Sequence, residues 1–154
     1  MKWSYEERKK KLKEICDISG REFESGMLVF NAEFVEYTED NVFVVKYEIL
    51  PWHRNPMGYV QGGIICTMID NTAGAVAWVS LGCEAIGTID LHTNFLRGTH
   101  ENENHIITKA KVVSIGRRVV NVHCDVYNED GLVVATANTN IIRLLSPDDT
   151  PIIV

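Results

Sequence analysis

Asp70 is the only charged side chain in the stretch from Gly62 to Leu81, which is otherwise almost entirely apolar. This pattern predicts one long helix on which Asp70 is buried. A carboxylate in a dry site must be paired, hydrogen-bonded or chemically used, because its desolvation costs too much otherwise. Asp70 is therefore a candidate nucleophile or general base; the alternative is a buried acid tied to a backbone N–H or a threonine, without chemistry.

The predicted helix begins at Gly62-Gly63, and the first N–H groups of a helix have no acceptor within it. The helix macrodipole favours negative charge at that end, so the Gly62 N–H could donate to a carbonyl oxygen that becomes an oxyanion. Close packing is the other explanation for small residues there, and both can hold. An acid and an oxyanion-type donor on one helix suggest acyl chemistry.

The spacing of these two groups predicts an assembly. Gly62 and Asp70 are eight residues apart, which is about 12 Å along a helix. Both groups must come within about 3 Å of one acyl group. One helix cannot supply both, whereas two antiparallel copies can. We therefore expect a homodimer with two symmetry-related sites, each taking Asp70 from one chain and Gly62 from the other.

The elements around this helix read mostly as strands. Residues 28–38 and 42–50 alternate between apolar and polar positions, and T-E-D-N between them is typical of a hairpin turn. Short turns such as N-E-D-G join the later strands, so the sheet is expected to be antiparallel. The four later strands are predicted at 86–97, 105–115, 117–128 and 132–143, and a solvated surface helix at 3–16.

Length and charge restrict the class of protein. The 154 residues suffice for a single domain, 1–154, with an N-terminal helical extension (1–27), a core (28–143) and a tail (144–154). The net charge of −6 argues against nucleic acid or an anionic membrane as a partner.

Cysteine usage and the N-terminus indicate a reducing, cytoplasmic location. The four cysteines form no C-x-x-C pair, and the first residues lack the apolar segment of a signal peptide. Residues 64–81 are long enough to span a membrane, but Asp70 and Asn71 argue against that. The sequence shows no metal-ligand spacing, P-loop or Rossmann glycine run, so we expect no metal and no cofactor.

Three separated motifs carry a family resemblance: N-P-M-G-Y-V-Q-G-G at 55–63, M-I-D-N-T-A-G around Asp70, and G-T-I-D-L-H-T-N-F-L-R at 87–97. Together they resemble acyl-CoA thioesterases of the phenylacetic-acid-degradation (PaaI-like) type over about residues 28–143. The resemblance implies an α+β hot-dog fold, in which an antiparallel β-sheet wraps around one long central helix. It also implies a small-molecule acyl-CoA substrate and homodimers that often pair into tetramers.

The resemblance also implies roles for single residues. Asp70 matches the catalytic acid, Asn55 matches a residue that contacts that acid or the substrate, and Thr88 matches a hydroxyl that orients the attacking water. From the sequence alone, Asn55 before Pro56 is equally a turn former, and Thr88 an ordinary strand residue.

Gln61 departs from the family pattern, which usually has histidine in H-G-G. Its amide can still donate and accept hydrogen bonds but cannot be protonated. We expect Gln61 and Gly63 to contact the substrate, while any role that needs an imidazolium is lost.

Further candidates are assigned to the two ends of an acyl-CoA. Arg97, Arg117 and Arg118 could bind CoA phosphates, or could be solvated surface charge. An acyl pocket is expected near Met57, Met68 and Phe95, although core packing explains these three side chains just as well.

The leading hypothesis is hydrolysis of an acyl- or aroyl-CoA to free acid and CoA, by water attack or through a transient anhydride. The alternative is a non-catalytic acyl-thioester binding or sensing protein of the same fold, which Gln61 favours and Asp70 opposes. A hydratase or dehydratase of this fold is a third hypothesis, but residues 53–63 lack its histidine-centred motif.

Overall fold

The computed structural model describes residues 3–17, 26–82 and 85–144. One six-stranded antiparallel sheet, in the order β1-β2-β4-β5-β6-β3, curves around a single long helix, which confirms the expected hot-dog arrangement. The helices are α1 (Tyr5–Cys16), α2 (Gly26–Val29) and α3 (Gly62–Leu81), and a 3₁₀ turn spans Pro51–His53. The strands are β1 (Ala32–Tyr37), β2 (Val42–Glu48), β3 (Ile86–Phe95), β4 (His105–Ile115), β5 (Val119–Tyr127) and β6 (Val133–Arg143).

The inner face of the sheet is built by strict alternation of side chains. Along β5 every second residue from Val120 to Val126 is buried, as the period of two in the sequence predicts. On β2, Phe43, Val45 and Tyr47 are fully buried in the same way. These side chains and α3 enclose one apolar core, whose burial is the main stabilising contribution to the fold.

Helix α3 occupies the predicted bounds. It ends at Gly82, whose φ of 59° is the left-handed conformation that glycine adopts readily at a helix C-terminus. The helix is long and apolar enough to cross a membrane by composition, but 56% of its most apolar window is buried inside this protein. It is therefore the core helix that the surrounding sheet requires.

The N-terminal part of the structure differs from the prediction. Residues 28–38 were expected to form one strand, but Gly26–Val29 is helical and β1 begins only at Ala32. Asn31, with a φ of 46°, separates the two elements, since a positive φ interrupts an extended strand. The helix predicted at 3–16 is present as α1, with most of its charged side chains outward, and its apolar residues Leu12 and Cys16 pack into the core.

Helix α1 is attached to the core along its length. A capping box formed by Ser4 and Glu7 starts the helix. The Tyr5 hydroxyl donates to the Tyr37 carbonyl oxygen at 2.7 Å, and Arg8 Nη1 donates to Asn41 Oδ1 at 2.7 Å. These contacts fix α1 against β1 and the β1–β2 turn.

His53 lies at the base of the loop that leads to α3. Its side chain is fully buried, its Nδ1 accepts from the Leu50 N–H at 3.0 Å, and its carbonyl oxygen accepts from the Gln61 N–H at 2.9 Å. The rings of Phe30 and Trp52 pack against the imidazole. Burial lowers the pKa of His53 below its ordinary value of 6.5, and the adjacent Arg54 charge lowers it further.

We predict that this histidine makes stability depend on pH. Below about pH 6.5 the unfolded chain binds a proton at this histidine, whereas the folded ring resists protonation. The free energy of unfolding therefore decreases as the pH is lowered below 6.5 and is restored at higher pH. Urea denaturation between pH 5 and 8 measures the slope. His53→Asn keeps an acceptor for Leu50 but does not titrate, so its slope should be smaller. Equal slopes in both proteins would contradict the assignment.

Candidate functional site

Asp70 is joined to β3 by a hydrogen bond. Thr88 Oγ1 donates to Asp70 Oδ1 at 2.7 Å, and a register shift in β3 follows directly after Thr88. Asp70 is half-buried, so the expectation of a fully buried carboxylate was wrong. The reason is that Asp70 faces the edge strand β3 and not the middle of the sheet. Within the described residues its Oδ2 accepts no hydrogen bond and is available to a water or a substrate.

A cleft of about 350 Å³ opens beside Asp70 between α3 and β3. Thr88 and Asn71 lie at the same mouth, and the buried Asn71 Nδ2 has no hydrogen-bond partner among the described residues. The other lining residues are mostly apolar: Ile15, Met27, Gly74, Ala75, Trp78, Ile86 and Gly87.

The sequence analysis did not identify most of this lining. Met57 and Phe95 are exposed and Met68 is fully buried in the core, and none of the three lines the cleft within one chain. The available signal was the helical spacing of Gly74 and Trp78 from Asp70, since positions four and eight residues on share its face.

The start of α3 presents free donors, as the sequence predicted. The N–H groups of Ile64 and Ile65 both donate to the Gln61 carbonyl oxygen, at 3.0 and 3.2 Å. In the described part of the chain the N–H groups of Gly62 and Gly63 have no acceptor, and no side chain caps this helix end.

The two glycines differ in their surroundings. A Cβ at Gly62 would lie 2.9 Å from Phe95 Cζ, whereas one at Gly63 would meet no atom within 4 Å. Close packing therefore explains a small residue at Gly62, while Gly63 faces open space. Arg97 and Gly62 share a second cleft of about 400 Å³ at this end of the helix.

Asn55 and Gln61 act within the loop that precedes α3. Asn55 Oδ1 accepts from the N–H groups of Met57 and Tyr59 at 2.9 and 3.2 Å, which is the turn-forming role. Gln61 is exposed, and its Nε2 donates to the Arg54 carbonyl oxygen at 3.4 Å. Within one chain neither side chain contacts Asp70.

The candidate phosphate-binding arginines lie at opposite ends of β3. Arg97 follows the end of β3, and its Nη1 donates to the Val133 carbonyl oxygen at 2.6 Å. Arg117 is exposed in the β4–β5 turn, beside the half-buried Arg118, whose Nε has no hydrogen-bond partner in the part of the chain that the structure describes. The Arg118 carbonyl oxygen accepts from the Arg143 N–H, and Arg143 pairs with Ile86 at the start of β3.

One chain therefore separates the two halves of the predicted chemistry. Gly62 and Asp70 lie on one unbroken helix, so about 12 Å of helical rise keeps the free N–H groups away from the Asp70–Thr88 pair. Within the described ranges, no three His, Cys, Asp or Glu side chains cluster as a metal site would require.

Arg54 positions the loop that carries Asn55 and Gln61. Its Nη1 donates to the carbonyl oxygens of Gly58 at 2.7 Å and His100 at 3.2 Å, and its Nη2 to that of Glu103 at 2.6 Å. This guanidinium ties the loop before α3 to the segment after β3, and its sequence context gave no sign of that role.

We predict that Arg54→Ala lowers the free energy of unfolding by about 2 kcal/mol or more, because charge-assisted hydrogen bonds to three carbonyl oxygens are lost. Urea denaturation measures the loss. Arg117→Ala is the matched control, and its exposed side chain should change stability by less than about 0.5 kcal/mol. Equal effects of the two substitutions would show that Arg54 does not hold the loop.

Comparisons with known proteins show the family and the fold of this chain. The Thioesterase superfamily model matches residues 57–135, just over half of the chain. A curated African swine fever virus protein, MGF 360-5L, is 28% identical over 81 residues, which are 53% of this chain; the chain spans only 19% of the viral protein's length.

Solved structures share the fold. A phenylacetic acid degradation-related protein from Ralstonia eutropha superposes with a TM-score of 0.73 at 22% identity, covering 86% of this chain and 99% of that one. A hypothetical thioesterase from Streptococcus pneumoniae, solved with coenzyme A, gives 0.66 at 25% identity, covering 73% and 84%. A Streptococcus mutans protein bound to acetyl-CoA gives 0.66 at 22%, covering 81% and 93%. With its hot-dog fold and a family match that includes both Gly62 and Asp70, this chain belongs to the thioesterase superfamily.

Proposed function

We propose that this protein hydrolyses acyl-CoA thioesters to a free acid and CoA. The observation that carries the proposal is the Asp70–Thr88 pair at the mouth of a largely apolar cleft. Asp70 lies on a helix whose first N–H groups have no acceptor within the described residues. A carboxylate, a hydroxyl that orients it and an oxyanion donor are the groups that thioester hydrolysis requires.

In the chemical step Asp70 activates a water, whose oxygen forms a bond to the thioester carbonyl carbon. The Thr88 hydroxyl holds Oδ1, which leaves Oδ2 to take a proton from an attacking water. The Gly62 N–H donates to the carbonyl oxygen as negative charge develops there. The carbon–sulfur bond then breaks, and the CoA thiolate leaves and takes up a proton. Direct attack by Asp70, through an anhydride that water hydrolyses, uses the same groups.

The site requires two chains, because α3 separates its own Gly62 and Asp70 by about 12 Å. In a homodimer with antiparallel helices, each site takes Asp70 and Thr88 from one chain and Gly62 from the other. The edge strand β3 supports this pairing. It has ten residues, has no strand on its outer side within the described residues, and exposes Ile89 and Phe95 by 54% and 53%. Two such dimers could pair into a tetramer.

The remaining site residues contribute positioning and charge. Three groups near the helix start can contact the substrate or the partner chain: Asn55 Nδ2, Gly63 and the exposed Gln61 side chain. For that contact Gln61 Nε2 would give up its 3.4 Å hydrogen bond to the Arg54 carbonyl oxygen. The CoA phosphates would bind to Arg97, Arg117 and Arg118. These arginines lie at opposite ends of β3, and the two ends come together only when the β3 of a second chain pairs in the opposite direction.

Relatives support CoA thioesters as the substrate class. The S. pneumoniae protein was solved with coenzyme A and the S. mutans protein with acetyl-CoA. Further S. pneumoniae structures carry alanine in place of one threonine or one aspartate.

A second candidate function is non-catalytic binding of acyl thioesters. Gln61 favours it, since the amide donates to the Arg54 carbonyl oxygen and cannot be protonated. The half-buried Asp70, hydrogen-bonded and open to the cleft, favours hydrolysis, because a pure binder has no use for an acid facing a thioester.

Release of free thiol from acyl-CoAs distinguishes these functions. We predict that the wild-type protein releases thiol and that Asp70→Ala reduces kcat at least about 1000-fold with the assembly intact, because the activating carboxylate is gone. Thr88→Ser keeps the hydroxyl and should retain most activity, whereas Thr88→Val should not. Tight acyl-CoA binding without thiol release, unchanged in Asp70→Ala, would identify a binding protein instead.

Mixed assemblies test whether two chains share one site. Proline at Gly62 removes the N–H donor and suits the first helical position, and Gln61 already has a φ and ψ (−63°, 138°) that can precede proline. Its Cβ would also meet the Phe95 ring, so Gly62→Ala, which adds the same Cβ but keeps the N–H, is the matched control and should stay active. We predict that Gly62→Pro and Asp70→Ala are each inactive alone. After co-expression, half of randomly mixed dimers contain one intact site out of two, so about a quarter of wild-type activity should return. A mixture no more active than its parts would refute the shared site.

A further inference from the structure

We propose that the cleft between α3 and β3 binds the acyl group of the substrate, and that the N-terminal helices α1 and α2 limit its length. The chain would then favour a medium-length or single-ring acyl group over a long fatty acyl chain. This inference rests on the proposed function, because it places the acyl group of that same thioester next to Asp70.

The floor of the cleft is kept open by a glycine that packing does not require. Gly74 lies one helical turn after Asp70 and lines the cleft. Glycine inside a helix is destabilising relative to alanine, because its backbone loses more conformational freedom on folding. Among the described residues, a Cβ at Gly74 would meet only Ile86 Cδ1, at 3.7 Å, which is an ordinary contact. No neighbour therefore demands glycine here, in contrast to Gly62, and the space is left for a ligand.

Trp78 lines the cleft two helical turns after Asp70, about 12 Å along the helix. The Trp3 ring packs edge-on against it with a centroid distance of 5.4 Å. Lys11 Nζ lies 4.2 Å from the Trp3 ring centroid and 5.4 Å from that of Trp78, so a cation joins both rings. This contact with α1 and the residues before it holds the Trp78 ring in place, and in the proposal that ring limits the length of the bound acyl chain.

The N-terminal helices also supply an apolar side of the cleft. Ile15 comes from α1 and Met27 from α2. The Met27 Sδ accepts a hydrogen bond from the buried Tyr47 hydroxyl at 3.2 Å. The volume of about 350 Å³ is at the lower end of the range for ligand pockets. The polar groups are concentrated at the Asp70 mouth, where the thioester must lie, and the apolar residues extend away from it.

The proposal is tested by ratios of kcat/KM for acetyl-, phenylacetyl-, octanoyl- and palmitoyl-CoA. The wild-type protein should prefer phenylacetyl- or octanoyl-CoA to palmitoyl-CoA. Gly74→Ala places a methyl group in the cleft, so the phenylacetyl-to-acetyl ratio should fall about tenfold. The same substitution should not lower the melting temperature, because alanine is the better helix former. A loss of the larger substrate therefore cannot come from unfolding.

Ile15→Ala should have the opposite effect and raise the octanoyl-to-acetyl ratio, because it widens the cleft. Leu12→Ala is its matched control: this residue is on the same helix and fully buried, but lies outside the cleft, so the ratios should not change.

Two results would overturn the inference in different ways. In the first, the wild-type protein is active, but Gly74→Ala and Ile15→Ala each change kcat/KM for all substrates by the same factor. That result would place the acyl group elsewhere and leave the proposed function standing. A wild-type protein that releases no thiol from any of the four esters would overturn both proposals.

Discussion

The rigidity of α3 is the constraint on which the site depends. A continuous helix fixes its residues at about 1.5 Å of rise each, so the free N–H groups at Gly62 and the carboxylate of Asp70 cannot approach one another. The sheet that wraps the helix prevents any kink from shortening that distance, because the helix is packed on five of the six strands. Chemistry that needs both groups can therefore arise only where a second helix lies antiparallel to the first, and the uncovered edge strand β3 offers the surface for it.

Within that frame, the glycines of α3 serve different purposes. Gly82 ends the helix through a positive φ, and Gly62 lets the Phe95 ring pack against the helix start. Gly74 has neither a positive φ nor a close neighbour, yet it weakens the middle of the helix. A cost in stability without a structural return is typical of positions retained for a ligand. The distinction between a packing glycine and a space-leaving glycine needs the neighbouring atoms, so sequence alone cannot make it.

The elements with a strong period were predictable. The apolar run before Gly82 gave the bounds of α3, and the alternation in β5 gave its buried face. Helix α2 was not predicted, because four residues are too few to show a helical period. The half-burial of Asp70 was also missed, since local pattern does not say whether a helix face meets the centre of a sheet or its edge. Its contact with Thr88 was not predicted, because the family resemblance implied only that Thr88 orients the attacking water.

The N-terminal helix contributes to the site without taking part in its chemistry. Tyr5 and Arg8 fix α1 against the far edge of the sheet, while Trp3 and Lys11 hold Trp78 in the lining of the cleft. The Asp70–Thr88 pair belongs instead to α3 and β3. Because α1 has its own attachments to the core, its cleft-facing side chains can change without moving the reacting groups. Under the proposed function, acyl selectivity and catalytic geometry are thus set by different elements, so the length of the bound acyl group could be altered independently of the step that cleaves the thioester.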